Sequence, residues 1–281
     1  MIIGVDLGGT KVRAGIASAG QIQNHQQQLF KSLGTQKETL GQLIDLIRKL
    51  MHSDIEGIGL GVPSVVDVER GIVFNVVNIP SWDRVPLKDI LEDEFNVAVA
   101  VNNDVNCFAL GEHRFGLLKG RKNVVGITVG TGLGCGIIVN DQLFNGTNCG
   151  AGEVGLIGYR DHTIEYFASG NFFPTHYGIS AAAANDLALT DDVKALSWWE
   201  EFGVHMGHAI KTVVYAYDPE AIVIGGSVSK AFNFFEPSMR ASLQDFTFPE
   251  SIKKLKILRS VNENITLLGA AALIRSEKVT L

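Results

Sequence analysis

The sequence predicts an α/β protein with largely mixed sheets, built as two like-folded halves. Three observations carry that expectation. Short apolar runs suited to strands alternate with stretches of helical period in both halves. A strand, a glycine-rich turn and a second strand occur in the first residues and again at an offset of about 122 residues. No low-complexity segment or flexible linker separates the halves, so the two should pack closely, with a cleft between them.

In the first half, residues 2–8 form an apolar run ending in Gly8-Gly9, and Val12 to Ala17 form another. Joined by Gly-Gly-Thr-Lys, they read as a β-hairpin, which Gln21 to Phe30 continues as a third strand. Thr35-Gln36-Lys37-Glu38 has capping-box spacing. Behind it Leu40, Leu43, Ile44, Ile47, Leu50 and Met51 make one apolar helix face. Gly57 to Val62 is a short buried strand stopped by Pro63, followed by a turn-rich loop. Pro86 suits the first turn of a helix carrying Leu87, Ile90, Leu91 and Phe95. Val97 to Val101 is the next strand, and 104–115 a helix.

In the second half, Val124-Val125-Gly126-Ile127 repeats Ile2-Ile3-Gly4-Val5, with Gly130 over Gly8 and Ile138-Val139 over Ile16-Ala17. Residues 141–170 read as loops and turns. Helices are expected over 181–188 and 195–216, a strand over Ala221 to Ile224, a last strand at Lys256 to Leu258 and a closing helix from Thr266. The expected boundaries are a first lobe at 1–116, onto which the helix 266–281 packs back, and a second at 117–265.

Composition excludes several classes. At 281 residues the chain can bury a large core. A 46% hydrophobic and 19% charged content is that of a water-soluble globular protein. A formal net charge of −6 provides no general attraction to nucleic acid or an anionic membrane. No apolar run reaches the ~18 residues that would suggest a membrane span, and the N-terminus lacks the pattern of a signal peptide. Cys107, Cys135 and Cys149 form neither an even framework nor a CxxC pair, as expected of reduced thiols in a cytoplasm.

The chemistry-bearing stretches are few. Gly8-Gly9-Thr10-Lys11 and Gly130-Thr131-Gly132-Leu133-Gly134 are turns whose backbones can approach an anion. Neither is a P-loop or a dinucleotide fingerprint, because each leads from strand to strand; together they read as a two-sided phosphate clamp. Asp6, in an apolar strand just before the first turn, could hold Mg²⁺ directly or through water, or cap its own turn. Asp104 follows a strand end within Asn102-Asn103-Asp104-Val105-Asn106, where it reads as a catalytic base or a plain helix cap. The neighbouring amides look suited to sugar hydroxyls. Glu153 and Glu165 read as further acceptor carboxylates in the glycine-rich middle region or, singly, as solvated loop residues. His205 and His208, at i and i+3 without a third ligand, read as a surface or packing pair, and Trp82, Trp198 and Trp199 as packing residues.

Five stretches in order resemble the ROK family (repressors, open reading frames and sugar kinases) of the actin-like ATPase superfamily. They are Asp6-Leu7-Gly8-Gly9-Thr10-Lys11; Asn103-Asp104-Val105-Asn106 with Gly111-Glu112; the second glycine turn; Gly150-Ala151-Gly152-Glu153-Val154-Gly155; and Ile222-Val223-Ile224-Gly225-Gly226-Ser227. The resemblance implies a two-lobe actin-like ATPase fold, ribonuclease H-like, with ATP and sugar in the cleft. It implies Asp104 as base, and Asn78, Asn103, Glu153 and Glu165 as sugar-proximal residues. Gly8, Gly9, Thr10, Lys11, Thr131 and Gly132 match its phosphate-binding turns, and Gly226 its adenosine contact. Dimers are common in the family, so a homodimer is the implied assembly, with no nucleic acid or membrane partner.

Two departures stand out. Where many members have a histidine that reaches both sugar and a structural zinc, this chain has Leu156. The family's cysteine cluster is also absent; Arg160-Asp161-His162-Thr163 fills a shortened segment. Zinc is therefore not expected, since a closed site needs four ligands. The implied reaction is γ-phosphoryl transfer from Mg-ATP to a hexose hydroxyl, O6. An unperturbed aspartate, with a pKa of about 3.9, is ionised and able to take the proton. Glucose, mannose, fructose, N-acetylmannosamine and N-acetylglucosamine stay open as acceptors, as does a non-catalytic sugar-sensing role. A DNA-binding repressor would need an added helix-turn-helix domain, whereas the first strand here starts at residue 2. A chaperone-like ATPase fits the amide- and carboxylate-rich stretches less well.

Overall fold

A computed structural model describes residues 1–277. They divide into two compact units. The first comprises Met1–Lys119, Leu143–Ala151 and the chain from Asn262 onward; the second comprises Gly120–Gln142 and Gly152–Val261.

In the first unit β1 (Ile2–Leu7) and β2 (Lys11–Ser18) make the glycine hairpin, with Leu7 opposite Val12 and Asp6 opposite Arg13. The polar β3 (Gln21–Leu29) pairs antiparallel with β2 and forms the solvent-facing edge. α1 (Gln36–Arg48) starts from a complete capping box, with Thr35 and Glu38 each satisfying the other's backbone N–H. It stops at Arg48, so Leu50 and Met51, expected on its apolar face, lie beyond its end. β4 (Gly57–Val62) pairs parallel with β1 and is buried throughout, which is why its sequence is an unbroken apolar run.

The segment expected as a loop after Pro63 holds a small antiparallel sheet of β5 (Val65–Asp67), β6 (Ile72–Phe74) and β7 (Arg84–Pro86). α2 (Leu87–Phe95) follows at once, with Pro86 as its N-cap residue rather than within its first turn. β8 (Ala98–Asn103) pairs parallel with β4 and runs straight into α3 (Asp104–Phe115). The sheet order is β3-β2-β1-β4-β8.

The second unit repeats this plan. β9 (Val124–Val129) and β10 (Leu133–Val139) form the second glycine hairpin, extended by the short β11 (Gln142–Leu143). A two-stranded ribbon follows, β12 (Gly158–Tyr159) with β13 (His162–Thr163). Next come α4 (Ile164–Phe167), α5 (Phe172–Tyr177), α6 (Ala181–Ala188) and the long α7 (Val193–Tyr217). β14 (Ala221–Gly225) pairs parallel with β9. After α8 (Phe232–Ala241) and α9 (Pro249–Lys254), β15 (Lys256–Arg259) pairs parallel with β14. The order β11-β10-β9-β14-β15 reproduces that of the first unit position by position.

α10 (Ile265–Glu277) belongs to the first unit and packs on α3, β1 and β4; the expected continuation over 278–281 lies outside the described residues. Its approach explains two strand glycines. A Cβ on Gly59 would lie 1.8 Å from the Ala270 carbonyl oxygen, and one on Gly4 2.0 Å from that of Leu267. The first unit's core is largely aliphatic around its sheet, with Trp82 buried and donating its indole N–H to Thr39 at 2.8 Å. The second unit adds an aromatic layer of Phe172, Phe173, Trp199, Phe202 and Phe235. Among the described residues no helix is long and apolar enough to cross a membrane.

Candidate active site

In the first unit the β1–β2 turn is closed by the Gly8 N–H donating to the Lys11 carbonyl at 2.9 Å, and Thr10 and Lys11 are exposed at its tip. Gly9 faces Asn78: a Cβ there would lie 2.7 Å from the Asn78 Cβ, so the turn and this exposed amide are held against each other. Asp6 meets Arg13, which donates from Nε at 3.1 Å and Nη2 at 2.5 Å to the same oxygen, Oδ2. Arg13 also donates from Nη1 to the Glu263 carbonyl. Sequence reasoning passed over Arg13, although a hairpin pairing Leu7 with Val12 must set it opposite Asp6.

Asp104 is the first residue of α3, partly buried, and one of its carboxylate oxygens accepts the Val105 N–H at 2.9 Å. The cap is its neighbour. Asn103 Oδ1 accepts from the N–H groups of Val105 at 2.8 Å and Asn106 at 3.3 Å. Asp104 thus sits where the helix dipole favours a carboxylate, without itself being the N-cap. The neighbouring amides divide by burial. Asn103 is half-buried and donates to the Ser64 carbonyl at 3.3 Å. Asn102 and Asn106, expected to suit sugar hydroxyls, are instead buried and bonded to each other at 2.9 Å and to Asn145 and Cys149. An amide with its bonds used inside the core has none to offer a sugar, so that expectation is corrected for these two residues.

In the second unit the β9–β10 turn closes through the Gly130 N–H and the Gly132 carbonyl at 3.0 Å, with Thr131 and Gly132 exposed. Glu165 packs against it: its Oε2 accepts the Leu133 N–H at 3.2 Å, and a Cβ on Gly132 would lie 2.8 Å from that oxygen. Glu153 is the N-cap residue of a short 3-10 turn, Val154–Leu156. Partial desolvation, and then the Glu165 charge, raise its pKa above the ordinary carboxylate value although the residue reaches solvent. Gly226, exposed after β14, has φ +86°, and a Cβ there would lie 2.4 Å from the Val129 carbonyl oxygen. Leu156 ends the Glu153 turn with its side chain exposed.

The segment from 158 onward is an aromatic and histidine cluster. Tyr159 stacks on His208 at 3.9 Å between centroids, its hydroxyl lies 3.2 Å from His205 Nδ1, and Arg160 sits 5.4 Å over its ring. His205 is buried; desolvation and then the Arg160 charge pull its pKa down to about 4. The two histidines are therefore packing residues. Among the described residues no group of three or more His, Cys, Asp or Glu side chains could hold a metal ion.

Two matching sheets, each entered by a glycine hairpin, are the actin-like ATPase fold. The ROK family model matches residues 2–277, and the chain belongs to that family. It is 32% identical to the glucokinase of Halalkalibacterium halodurans, over 88% of this chain and 86% of that protein. It is 28% identical to the xylose repressor of Caldicellulosiruptor bescii, over 99% of this chain and 79% of the repressor. The crystal structure of a ROK family glucokinase from Streptomyces griseus, in complex with glucose and AMPPNP, superposes with a TM-score of 0.82 at 27% identity. That match covers 98% of this chain and 99% of the other.

Proposed function

We propose that the chain is an ATP-dependent hexose kinase, transferring the γ-phosphoryl group to a sugar hydroxyl, O6, with Asp104 as general base. The observation that carries this is the placement of Asp104: a partly buried carboxylate at the first position of α3, held by an N-cap that is a different residue. Asp104 takes the proton of the sugar hydroxyl as that oxygen bonds to the γ-phosphorus, and the bond to the bridging oxygen breaks to release ADP. Glu153, Glu165, Asn103 and Asn78 bind sugar hydroxyls. The turns at Gly8–Lys11 and at Thr131 and Gly132 present backbone N–H groups to phosphate, and Gly226 lies against adenosine. Magnesium would be held by Asp6, directly or through water, together with phosphate oxygens, and would neutralise their charge. Asp6 suits that role because both Arg13 bonds fall on Oδ2. The glucose and AMPPNP bound to the Streptomyces griseus glucokinase support the choice of ligands. An N-acetylhexosamine or fructose is the alternative acceptor.

The test is a panel of hexoses and N-acetylhexosamines incubated with ATP, reading ADP and sugar phosphate together. One sugar should stimulate ADP formation with stoichiometric sugar phosphate, and Asp104→Asn should lower both by roughly 10²–10⁴-fold while still folding. Sugar-independent ADP release, or unchanged turnover in the variant, would overturn the reading. The likeness to a xylose repressor favours a second reading, a sugar-sensing regulator, for which the same panel would detect sugar binding without phosphorylation.

A further inference from the structure

Asn102 is the most heavily used side chain near Asp104, and nothing in the proposed chemistry employs it. It is buried at the end of β8, and its Oδ1 accepts three donors: the Asn103 N–H at 2.8 Å, Asn106 Nδ2 at 2.9 Å and the Cys149 thiol at 3.1 Å. Its own Nδ2 donates to Asn145 Oδ1 at 3.1 Å, which also receives Asn106 Nδ2 at 3.3 Å. One amide therefore pins the backbone of the N-cap residue, the first turn of α3 and the 143–151 segment together. That segment is covalently flanked on both sides by the second unit yet belongs to the first.

Cys149 supplies an independent sign that this node is tightly determined. Its φ is +57°, a left-handed conformation that a cysteine adopts only where its surroundings hold it there. A glycine at 149 would take that conformation without strain, whereas the cysteine there brings a thiol to Asn102 Oδ1.

Building on the reading of Asp104 as the base, we propose that Asn102 is a positioning residue. Through Asn103 and Asn106 it fixes the first turn of α3, and hence the direction of the Asp104 carboxylate, with Asn145 and Cys149 holding it in place. A carboxylate must meet the hydroxyl proton within a few tenths of an ångström, so loosening this turn acts on the chemical step. A merely structural role would lower stability and leave turnover per folded molecule unchanged.

The test compares Asn102→Ala, Asn145→Ala, Cys149→Ala and Cys149→Ser in the full chain. Sugar-dependent ADP formation and amide hydrogen exchange at residues 103–106 are read for each variant and for wild type. Asn102→Ala should lower kcat about 100-fold, as a misplaced catalytic group does, with KM for ATP and sugar within about threefold. Cys149→Ala and Asn145→Ala should each lower kcat several-fold, and Cys149→Ser, which keeps a donor to Asn102, should restore it. Exchange at 103–106 should speed up in the same order. If wild type phosphorylates no sugar, the base reading fails and the exchange data alone decide the positioning claim. If wild type is active and folded Asn102→Ala keeps kcat within twofold, the proposal is overturned and the base reading stands. Should Asn102→Ala fail to fold, unchanged kcat and unchanged exchange in both Asn145→Ala and Cys149→Ala would overturn it equally.

Discussion

The two units share one sheet plan and diverge in what they attach to it. Each begins with an antiparallel hairpin around glycines and adds two parallel strands, in the same order. In each, one turn glycine lies against a polar side chain, Gly9 against Asn78 and Gly132 against Glu165. The difference lies at the outer parallel strand. β8 runs directly into α3, so its end presents Asn103 and Asp104 at a helix N-terminus. Its counterpart β15 ends in the loop 260–264, which leads to α10 in the first unit. A duplicated scaffold thus carries an unduplicated carboxylate. Strand order alone does not distinguish the two units; the element joined to the end of the outer strand does.

The sharpest way to break that asymmetry is to remove a carboxylate from each unit. If the first unit holds the base and the second only grips the sugar, Asp104→Asn should lower kcat by roughly 10²–10⁴-fold. Glu153→Gln should instead raise the sugar KM about tenfold, the cost of replacing one charged hydrogen bond by a neutral one, with kcat little changed. Because Glu153 has a raised pKa and its hydrogen bond to a sugar hydroxyl is stronger when the carboxylate is ionised, wild-type KM should climb as pH falls through that raised value. Glu153→Gln should lose the climb. Steady-state kinetics across pH read both effects. A kcat loss in Glu153→Gln as large as that of Asp104→Asn would erase the division of labour.

Much of this difference was legible before any coordinates. The two hairpins, the repeat and the 104–115 helix are local features, written in glycines and in the period of apolar residues. The amide node was not, since Asn145 and Cys149 lie 43 and 47 residues from Asn102 along the chain. Asparagines beside an aspartate look like ligands until burial is known. The three-residue strands β5 to β7 are too short to show a period, so they read as loop. Glu153 and Glu165 show in the sequence only as acceptor carboxylates; a sugar contact for them, and an adenosine contact for Gly226, is implied by family resemblance and not by their spacing in the chain.

A smaller effect separates the two interiors. The aromatic layer of the second unit encloses His205, whose pKa of about 4 lies below its ordinary value of 6.5. The unfolded chain therefore binds the proton first as pH falls. The stability held by neutral His205 is complete above about pH 6.5 and is lost between there and about pH 4. Urea unfolding of His205→Phe should show a flatter pH dependence than wild type across that window, the phenyl ring replacing imidazole among Tyr159, Phe167 and Phe172. Parallel pH profiles for the two proteins would remove His205 as the cause.

The smallest effect compares how each unit starts the helix that returns the chain to its first parallel strand. α1 is capped by Thr35 and α7 by Asp192, which accepts the Ala195 N–H at 2.8 Å. Replacing such a cap by alanine costs about 1 kcal/mol on average. The two should not cost the same. The first turn of α1 contains Thr39, which is buried and accepts the indole N–H of Trp82, so fraying there opens a core contact. α7 begins with exposed Val193 and is held along 25 residues by its buried face, so its first turn frays at little expense. Thr35→Ala should therefore cost about 1–1.5 kcal/mol and Asp192→Ala about 0.5 kcal/mol, measured as shifts in the urea midpoint at constant slope. An equal or larger loss for Asp192→Ala would mean that the first turn of α7 carries tertiary weight comparable to that of α1.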